Sequence, residues 1–348
     1  MSLFNHHLEE GAFIAMVPTI HDVAKLANTS KSTVSRYLNG QKVKKTTQAA
    51  LDRAIRELNF HRNAHARRLV TSKTFTIGIA IDDISNVFYS GMIKGIEDAV
   101  KKEGYNCIYY SWTSNFNREI SFLDLLYEGQ IDGLILVSFR RRQEEELQKI
   151  RESPLPVVLI GDRGGKDGIF SVDVDNAFGV SELVAYLHSI GHRNMAYITG
   201  PDHAAASKYR LKGYIDTLGA LGIPYRPEWV VTSDWSNQGG YEAMLEINGL
   251  EGITAVLASN DETAVGAMRA IQESGRSVPE HMSIVGFDDI SIAQWVYPAL
   301  TTVRQPFFEI GNKAAAGLFD KIHGRPHAES ASHLLRPKLI IRNSCANT

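Results

Sequence analysis

Cysteine is almost absent from this chain. Its 348 residues include two, Cys107 and Cys345, far apart and without His or Cys at metal-ligand spacing, which excludes a disulfide framework and a zinc site and points to a reducing compartment. Long apolar runs are missing too, so nothing reaches the roughly 20 residues of a membrane span. The opening MSLFNHHLEEGAFIAMVP carries His and Glu where a secretory signal would be basic, so the expected location is the cytoplasm, and residues 1–17 are read as a disordered extension. Catalytic signatures are equally scarce. No GxGxxG, HExxH or GxSxG is present, and GDRGGK at 161–166 lacks the four-residue gap and the following Ser or Thr of a phosphate loop, so a plain loop is the better reading. No cofactor and no metal are expected.

Neither sign of charge dominates the whole chain, whose formal net charge is −2, but the distribution is uneven. Residues 1–74 hold 12 Lys+Arg against 5 Asp+Glu, leaving 25 against 34 for the rest, so a head of +7 precedes a body of −9. A basic head neutralises phosphates, and an acidic body resists lying down on nucleic acid. The 44% hydrophobic and 22% charged composition at this length suits a globular protein of more than one domain.

Within the head, TIHDVAKLANTSKSTVSRYLN (19–39) sets Ile20, Val23, Ala24 and Ala27 at helical spacing, with Thr19 placed to cap and Asn28-Thr29 to break. Ser30 then caps a second helix, Lys31–Leu38, which buries Val34 and Leu38 and leaves Lys31, Ser32, Ser35 and Arg36 on the open face. Two short helices with a tight turn, the second opening on polar and cationic side chains, put a recognition helix into the major groove. Lys31, Ser32 and Arg36 are the candidates for base edges, and Thr19, Ser30, Ser35 and Asn39 for phosphates. A third helix, TTQAALDRAIRELN (46–59), closes a small core with Leu51, Ala54, Ile55 and Leu58, giving an all-α domain over 18–62. The basic NAHARRLVT follows in a hinge or linker of 63–74.

From Phe75 onward strands and helices alternate. FTIGIAI, NCIYYSW, GLILVS and PVVLIG are apolar runs of buried-strand type, separated by helices such as 89–103 and 118–128. MAYITG, WVVTSDW, AVLASN and SIVGFDD form a second set, interleaved with helices at 177–190, 208–221, 238–246 and 262–274. Two doubly wound parallel-sheet lobes in tandem enclose a cleft, and ligands bind beyond the carboxyl ends of such strands. Those ends carry Asp162, Asp234-Trp235, Asn260-Asp261 and Asp288-Asp289. Asp288, Asn260 and Arg210 offer acceptors and donors and Trp235 a flat apolar wall, which suits a small polyhydroxylated ligand such as a sugar. Asn260 or Asp261 could simply be an N-cap for the helix at 262–274, the reading these residues favour when taken alone. Arg210, placed near a helix start, calls for an anionic or hydroxylated partner.

TIHDVAKLANTSKSTVSRYLNG, the hinge-like NAHARRL, SNVFYSGMIKGIEDAVKKEGY, LASNDETAVGAMRAI and IVGFDDI followed by PALTTVRQP, in this order, resemble the lactose-repressor (LacI/GalR) family of bacterial transcription regulators from Pro18 to Asn343. Two departures are Arg62, where the family usually has proline, and Lys44, where it usually has a capping serine. The resemblance implies a helix-turn-helix headpiece on a type I periplasmic-binding-protein-like body, with an N-lobe of about 75–175 and 304–332, a C-lobe of about 176–303 and 333–343, and a tail of 344–348. It implies effector contacts at Arg210, Asn260 and Asp288, with Asp162 and Trp235, and Phe88 and Tyr89 lining the first lobe. It further implies a minor-groove hinge at Asn63, Ala66, Arg67 and Leu69, with Leu69 as a wedge. Double-stranded operator DNA and a small effector are then the partners of a homodimer, since the 7 residues after Ile341 are too few for a tetramerising heptad helix. A purine or phosphorylated metabolite is the alternative effector. A sugar-processing enzyme or an export-type sugar-binding protein is the rival reading.

Overall fold

The computed structural model describes residues 18–38, 40–61, 73–111, 120–140, 142–161, 169–325 and 332–348. The extension 1–17, Asn39, Asp162 and the hinge residues Asn63, Ala66, Arg67 and Leu69 lie outside the described residues. The chain divides into two compact units between Lys73 and Thr74.

The first unit holds helices α1 (Ile20–Leu26), α2 (Lys31–Leu38) and α3 (Lys45–Glu57). Val23, Ala24, Ala27, Val34, Leu51 and Ala54 form its buried core, with Ile20, Tyr37, Leu38, Ile55 and Leu58 packed against it. Full burial of Leu51 alone stabilises so small a core by about 2 kcal/mol. Helix α1 starts on the Thr19 carbonyl, and the Asp22 carboxylate accepts both the amide and the hydroxyl of Thr19. It stops where Asn28 turns to φ 49°, a left-handed conformation that Asn tolerates and that lets Thr29 donate back to the Ala24 carbonyl. Ser30 caps α2 by accepting the Thr33 amide at 3.2 Å, whereas Lys44 gives α3 no side-chain cap.

In the second unit the first lobe contains β1 (Thr76–Ile81), α4 (Ser90–Lys102), β2 (Asn106–Ser111), α5 (Asp124–Tyr127), β3 (Gly133–Val137), α6 (Glu144–Arg151), β4 (Val157–Ile160) and β5 (Ser171–Val174). The second lobe adds α7 (Asn176–Ser189), β6 (Met195–Thr199), α8 (Ala205–Ala220), β7 (Val230–Thr232), α9 (Asn237–Asn248), β8 (Ala255–Ala258), α10 (Asp261–Glu273), β9 (Ser283–Val285), α11 (Ile292–Trp295) and β10 (Thr302–Arg304). Then α12 (Phe307–Ile322) and β11 (Ser332–Leu335) return to the first lobe, and β12 (Lys338–Ile340) pairs with β10.

The first sheet runs β11-β5-β4-β3-β1-β2 and the second β7-β6-β8-β9, every pairing within them parallel. Both faces of each are covered, as buried parallel strands require. In the first lobe α4 and α12 pack on one face, and Leu123, Leu126, Leu147 and Ile150 cover the other. In the second, α9 and α10 lie opposite α7 and α8. The chain crosses between lobes three times, after β5, before α12 and after β11.

Three expectations need correction. The lobe boundary placed at 332/333 falls after β11, because that strand lies whole against β5; the return to the second lobe comes at Arg336-Pro337. The tail of 344–348 is an integral part of the second lobe: Ser344 is fully buried, its hydroxyl accepts the Thr301 amide and donates to the Ile284 carbonyl, and the Thr348 amide reaches the Ile190 carbonyl. The helix expected at 118–128 is, over its described part, a 3-10 turn Ile120–Leu123 followed by the single turn α5.

Candidate functional site

In the first unit Lys31, Ser32 and Arg36 are exposed on α2, as are Thr19 and Ser30 before it, while Ser35 is half-buried. The polar end of α2 is internally wired. Ser30 Oγ lies 2.8 Å from Ser32 Oγ and 2.9 Å from Thr33 Oγ1, and Arg36 donates to Thr33 Oγ1 at 3.5 Å. The Tyr37 hydroxyl on the same helix donates to Asp52 of α3, which fixes the rotation of α2 against its neighbour. Lys31 and Arg36 therefore emerge from a helix held at its start by a serine cap and at its end by a tyrosine strut, geometry suited to base edges. Sequence reasoning missed the Tyr37–Asp52 contact, since residues 15 positions apart carry no local signal.

The second unit encloses a cavity of about 430 Å³ where the carboxyl ends of both sheets converge. Phe88, Tyr89 and Phe139 line it from the first lobe, and Arg210, Trp235, Asn260 and Asp288 from the second. All the described effector candidates thus share one cavity. The first-lobe wall is aromatic. Phe88 meets Phe139 and Phe307 edge-on at 5.3 and 4.8 Å, and Tyr89 hydrogen-bonds Asp82, whose carboxyl burial pushes up.

Arg210 and Asp288, each 4% exposed, form the polar floor. Helix α8 begins one turn earlier than the expected start at 208, which sets Arg210 in its second turn. Its Nε donates to Asn176 Oδ1 at 2.7 Å, another nitrogen to the Ser259 carbonyl, and a third to Asp288 Oδ1 at 3.4 Å, while the guanidinium lies 3.8 Å over the Phe287 ring. A buried guanidinium needs this number of acceptors to offset its lost hydration. Gln305 donates to the same Asp288 oxygen at 2.6 Å. Burial outweighs Arg210 and Gln305 and raises the Asp288 carboxyl to about 6. Beneath it Asp261, fully buried, is raised well above the carboxylate range by burial and by Asp288; it accepts from the Thr302 hydroxyl and the Ile290 amide. The backbone is strained here, with φ of 70° at Trp235, 114° at Asp288 and 56° at Asp289. Such conformations persist only where surrounding bonds over-determine them, as Arg304 and Arg342 do by clamping Asp289 at 2.6 Å each.

Asn260 does cap a helix. Its Oδ1 accepts the Thr263 amide at 2.9 Å and its Nδ2 donates to the Trp235 carbonyl at 3.0 Å, so it shapes the cavity wall while lining it. The indole nitrogen of Trp235 is buried beside Gly200, where any Cβ would collide with it. Asn176, Phe139, Glu262 and Gln305 were not anticipated. Glu262 alone had a signal, standing two residues after Asn260. At the mouth of the cleft the lobes touch through backbone: the Ala205 amide donates to the Phe139 carbonyl at 2.8 Å, and Arg140 bridges Ala204. Among the described residues no His, Cys, Asp or Glu group could hold a metal, and no helix is long and apolar enough to cross a membrane.

A helix-turn-helix unit followed by a two-lobed body with a polar-floored cleft defines a ligand-responsive DNA-binding protein. Residues 19–63 match the bacterial regulatory proteins of the lacI family, and 184–345 match the periplasmic binding protein-like domain. The chain is 34% identical to the HTH-type transcriptional repressor CytR of Escherichia coli (strain K12), over 94% of this chain and 96% of that one. It is similar to the solved transcriptional regulator CelR–cellobiose complex, at 30% identity and TM-score 0.71, and to the lac repressor dimer bound to operator and the anti-inducer ONPF, at 25% identity and TM-score 0.84. Each covers 94% of this chain and 99% of the other. The chain belongs to the lacI family of bacterial regulatory proteins. It is a DNA-binding transcriptional regulator, and the rival reading as an enzyme gives way.

Proposed function

We propose that the protein is a dimeric repressor whose operator affinity is reset by a sugar bound in the cleft. The buried Arg210–Asp288 pair carries this reading, because it offers fixed donors and acceptors at the floor of an aromatic-walled cavity large enough for a small polyol. Phe88, Tyr89 and Trp235 supply the stacking faces, and Asn260 a remaining amide proton. Lys31, Ser32 and Arg36 read bases, while Thr19, Ser30, Ser35 and Asn39 meet phosphates. On the resemblance, Asn63, Ala66, Arg67 and Leu69 enter the minor groove with Leu69 as the wedge, and Asp162 joins the effector contacts. The similar lac repressor structure is a dimer on operator, and the similar CelR structure holds cellobiose; the same assembly and ligand class are adopted for this chain.

The test is a thermal-shift screen of the full chain with sugars, followed by titration of the sugar that binds into wild type, Arg210→Ala and Asp288→Ala. Either substitution leaves a buried polar partner unmatched, so affinity should fall by about 1–3 kcal/mol while DNA binding without effector barely moves. Wild-type affinity in both variants would place the pocket elsewhere.

A further inference from the structure

We infer that the cleft takes an uncharged polyhydroxyl ligand and rejects its phosphorylated counterpart, with Glu262 as the residue that enforces the choice. This rests on the cleft reading above and sharpens it. Four carboxylates line the cavity, Asp82, Asp234, Glu262 and Asp288, against the guanidiniums of Arg140 and Arg210 and the imidazole of His203. Each guanidinium is already paired with a protein carboxylate, which balances its charge while leaving Arg210 N–H groups for a neutral ligand. Arg140 grips Glu146 with two bonds of 2.9 and 2.5 Å, and Arg210 is shared among Asn176, the Ser259 carbonyl and Asp288.

Phosphate is also held by open helix N-termini, where unpaired amides meet the positive end of the helix dipole. Helices α8, α9 and α10 begin at this cleft, and a protein acceptor already takes one early amide of each. The first amide of α8 goes to the Phe139 carbonyl. Ser236 Oγ takes the Gly239 amide at the start of α9, and Asn260 Oδ1 takes the Thr263 amide at the start of α10. Helix α10 further opens with two acids, Asp261 and Glu262.

Glu262 is half-buried and makes no hydrogen bond or ion pair among the described residues. Burial raises its carboxyl, and its charge in turn adds to what raises that of Asp288. The second oxygen of Asp288 also has no hydrogen bond among the described residues, since both Arg210 and Gln305 reach the first. Two neighbouring acceptors left open in one wall suit adjacent hydroxyls, each of which brings a proton. A phosphate at neutral pH brings only acceptors and up to two more negative charges, so it meets repulsion from a wall in which four carboxylates face two guanidiniums that are already paired.

The full chain would be titrated with matched pairs at constant ionic strength: ribose and ribose 5-phosphate, glucose and glucose 6-phosphate, cellobiose and its phosphate ester. For the sugar that binds, the phosphate ester should bind roughly a hundredfold more weakly, the effect of one unrelieved like charge several ångströms away. Glu262→Gln, matched in shape, should narrow that ratio by about tenfold. An ester that binds as tightly as its parent, with binding lost in Asp288→Ala, overturns the inference and leaves the cleft reading standing. An unchanged ratio in a folded Glu262→Gln protein also overturns it. A sugar whose binding ignores both Arg210→Ala and Asp288→Ala overturns the cleft reading instead, and silence from every pair overturns both.

Discussion

Asp288 shows how one residue can be constrained from several sides. Its backbone is left-handed, one oxygen takes two donors, and burial is the largest influence on its proton. The folded chain lifts this carboxyl to about 6 from an ordinary 3.8. It therefore holds the proton more tightly than the unfolded chain does. The stabilising contribution is complete below about pH 3.8 and is lost as the pH rises through about 6. Asparagine keeps the shape and does not titrate, so wild-type stability relative to Asp288→Asn should fall as the pH rises from about 4 through about 6. Urea unfolding across that range measures it, and a flat difference would mean that the group does not titrate there. Arg210 and Asp288 were legible in the sequence because a cation in a helix and an acid at a strand end both demand partners. Asn176 and Gln305 were not, because their roles exist only once segments distant in sequence meet around the guanidinium and the carboxylate.

At the scale of the element, the recognition helix depends on α3 for its orientation. Val34 is its one fully buried apolar side chain, too little to fix rotation about the helix axis, so the Tyr37–Asp52 bond supplies the missing constraint. Tyr37→Phe keeps the ring and removes the bond, and should cost the small unit about 0.5–1.5 kcal/mol. Because Lys31 and Arg36 would then sample more rotations, preference for an operator over bulk DNA should fall more than affinity for bulk DNA. A binding-site selection with both proteins measures this, and equal preference would reduce Tyr37 to packing. Elements with a clean period were the readable ones: α1 to α3, and the strands β1, β3, β6 and β8, have uninterrupted apolar spacing. The strands β5, β10, β11 and β12 were missed because they are 3 or 4 residues long and carry residues such as Asp173, Arg304, His333 and Lys338. Without β11 the crossing back to the second lobe could not be placed.

For the whole molecule, a switch needs a body with two states and a contact that differs between them. The three crossings between lobes are the pivots about which the lobes could part, and the Ala205–Phe139 hydrogen bond at the mouth, which joins one lobe to the other, would break if they did. This bond can be removed almost in isolation. Ala205 is the first residue of α8, where proline is well tolerated, and Ala204 before it is extended at φ −84° and ψ 129°, as a residue preceding proline must be. Ala205→Pro should therefore leave the helix intact, delete one donor across the cleft and shift the body toward the open state by about 1 kcal/mol. A ligand that favours closure should bind the variant up to about fivefold more weakly. Coupling between two sites is reciprocal, so operator affinity in the presence of a fixed subsaturating ligand concentration should move in the direction of the unliganded protein, and by no more than the ligand itself can produce. Ligand titrations with and without operator, alongside small-angle scattering of the free variant, measure both effects. An unchanged ligand affinity in a more open variant would mean that closure is not what the ligand reads, and would move the switch from the cleft mouth to another contact between the lobes.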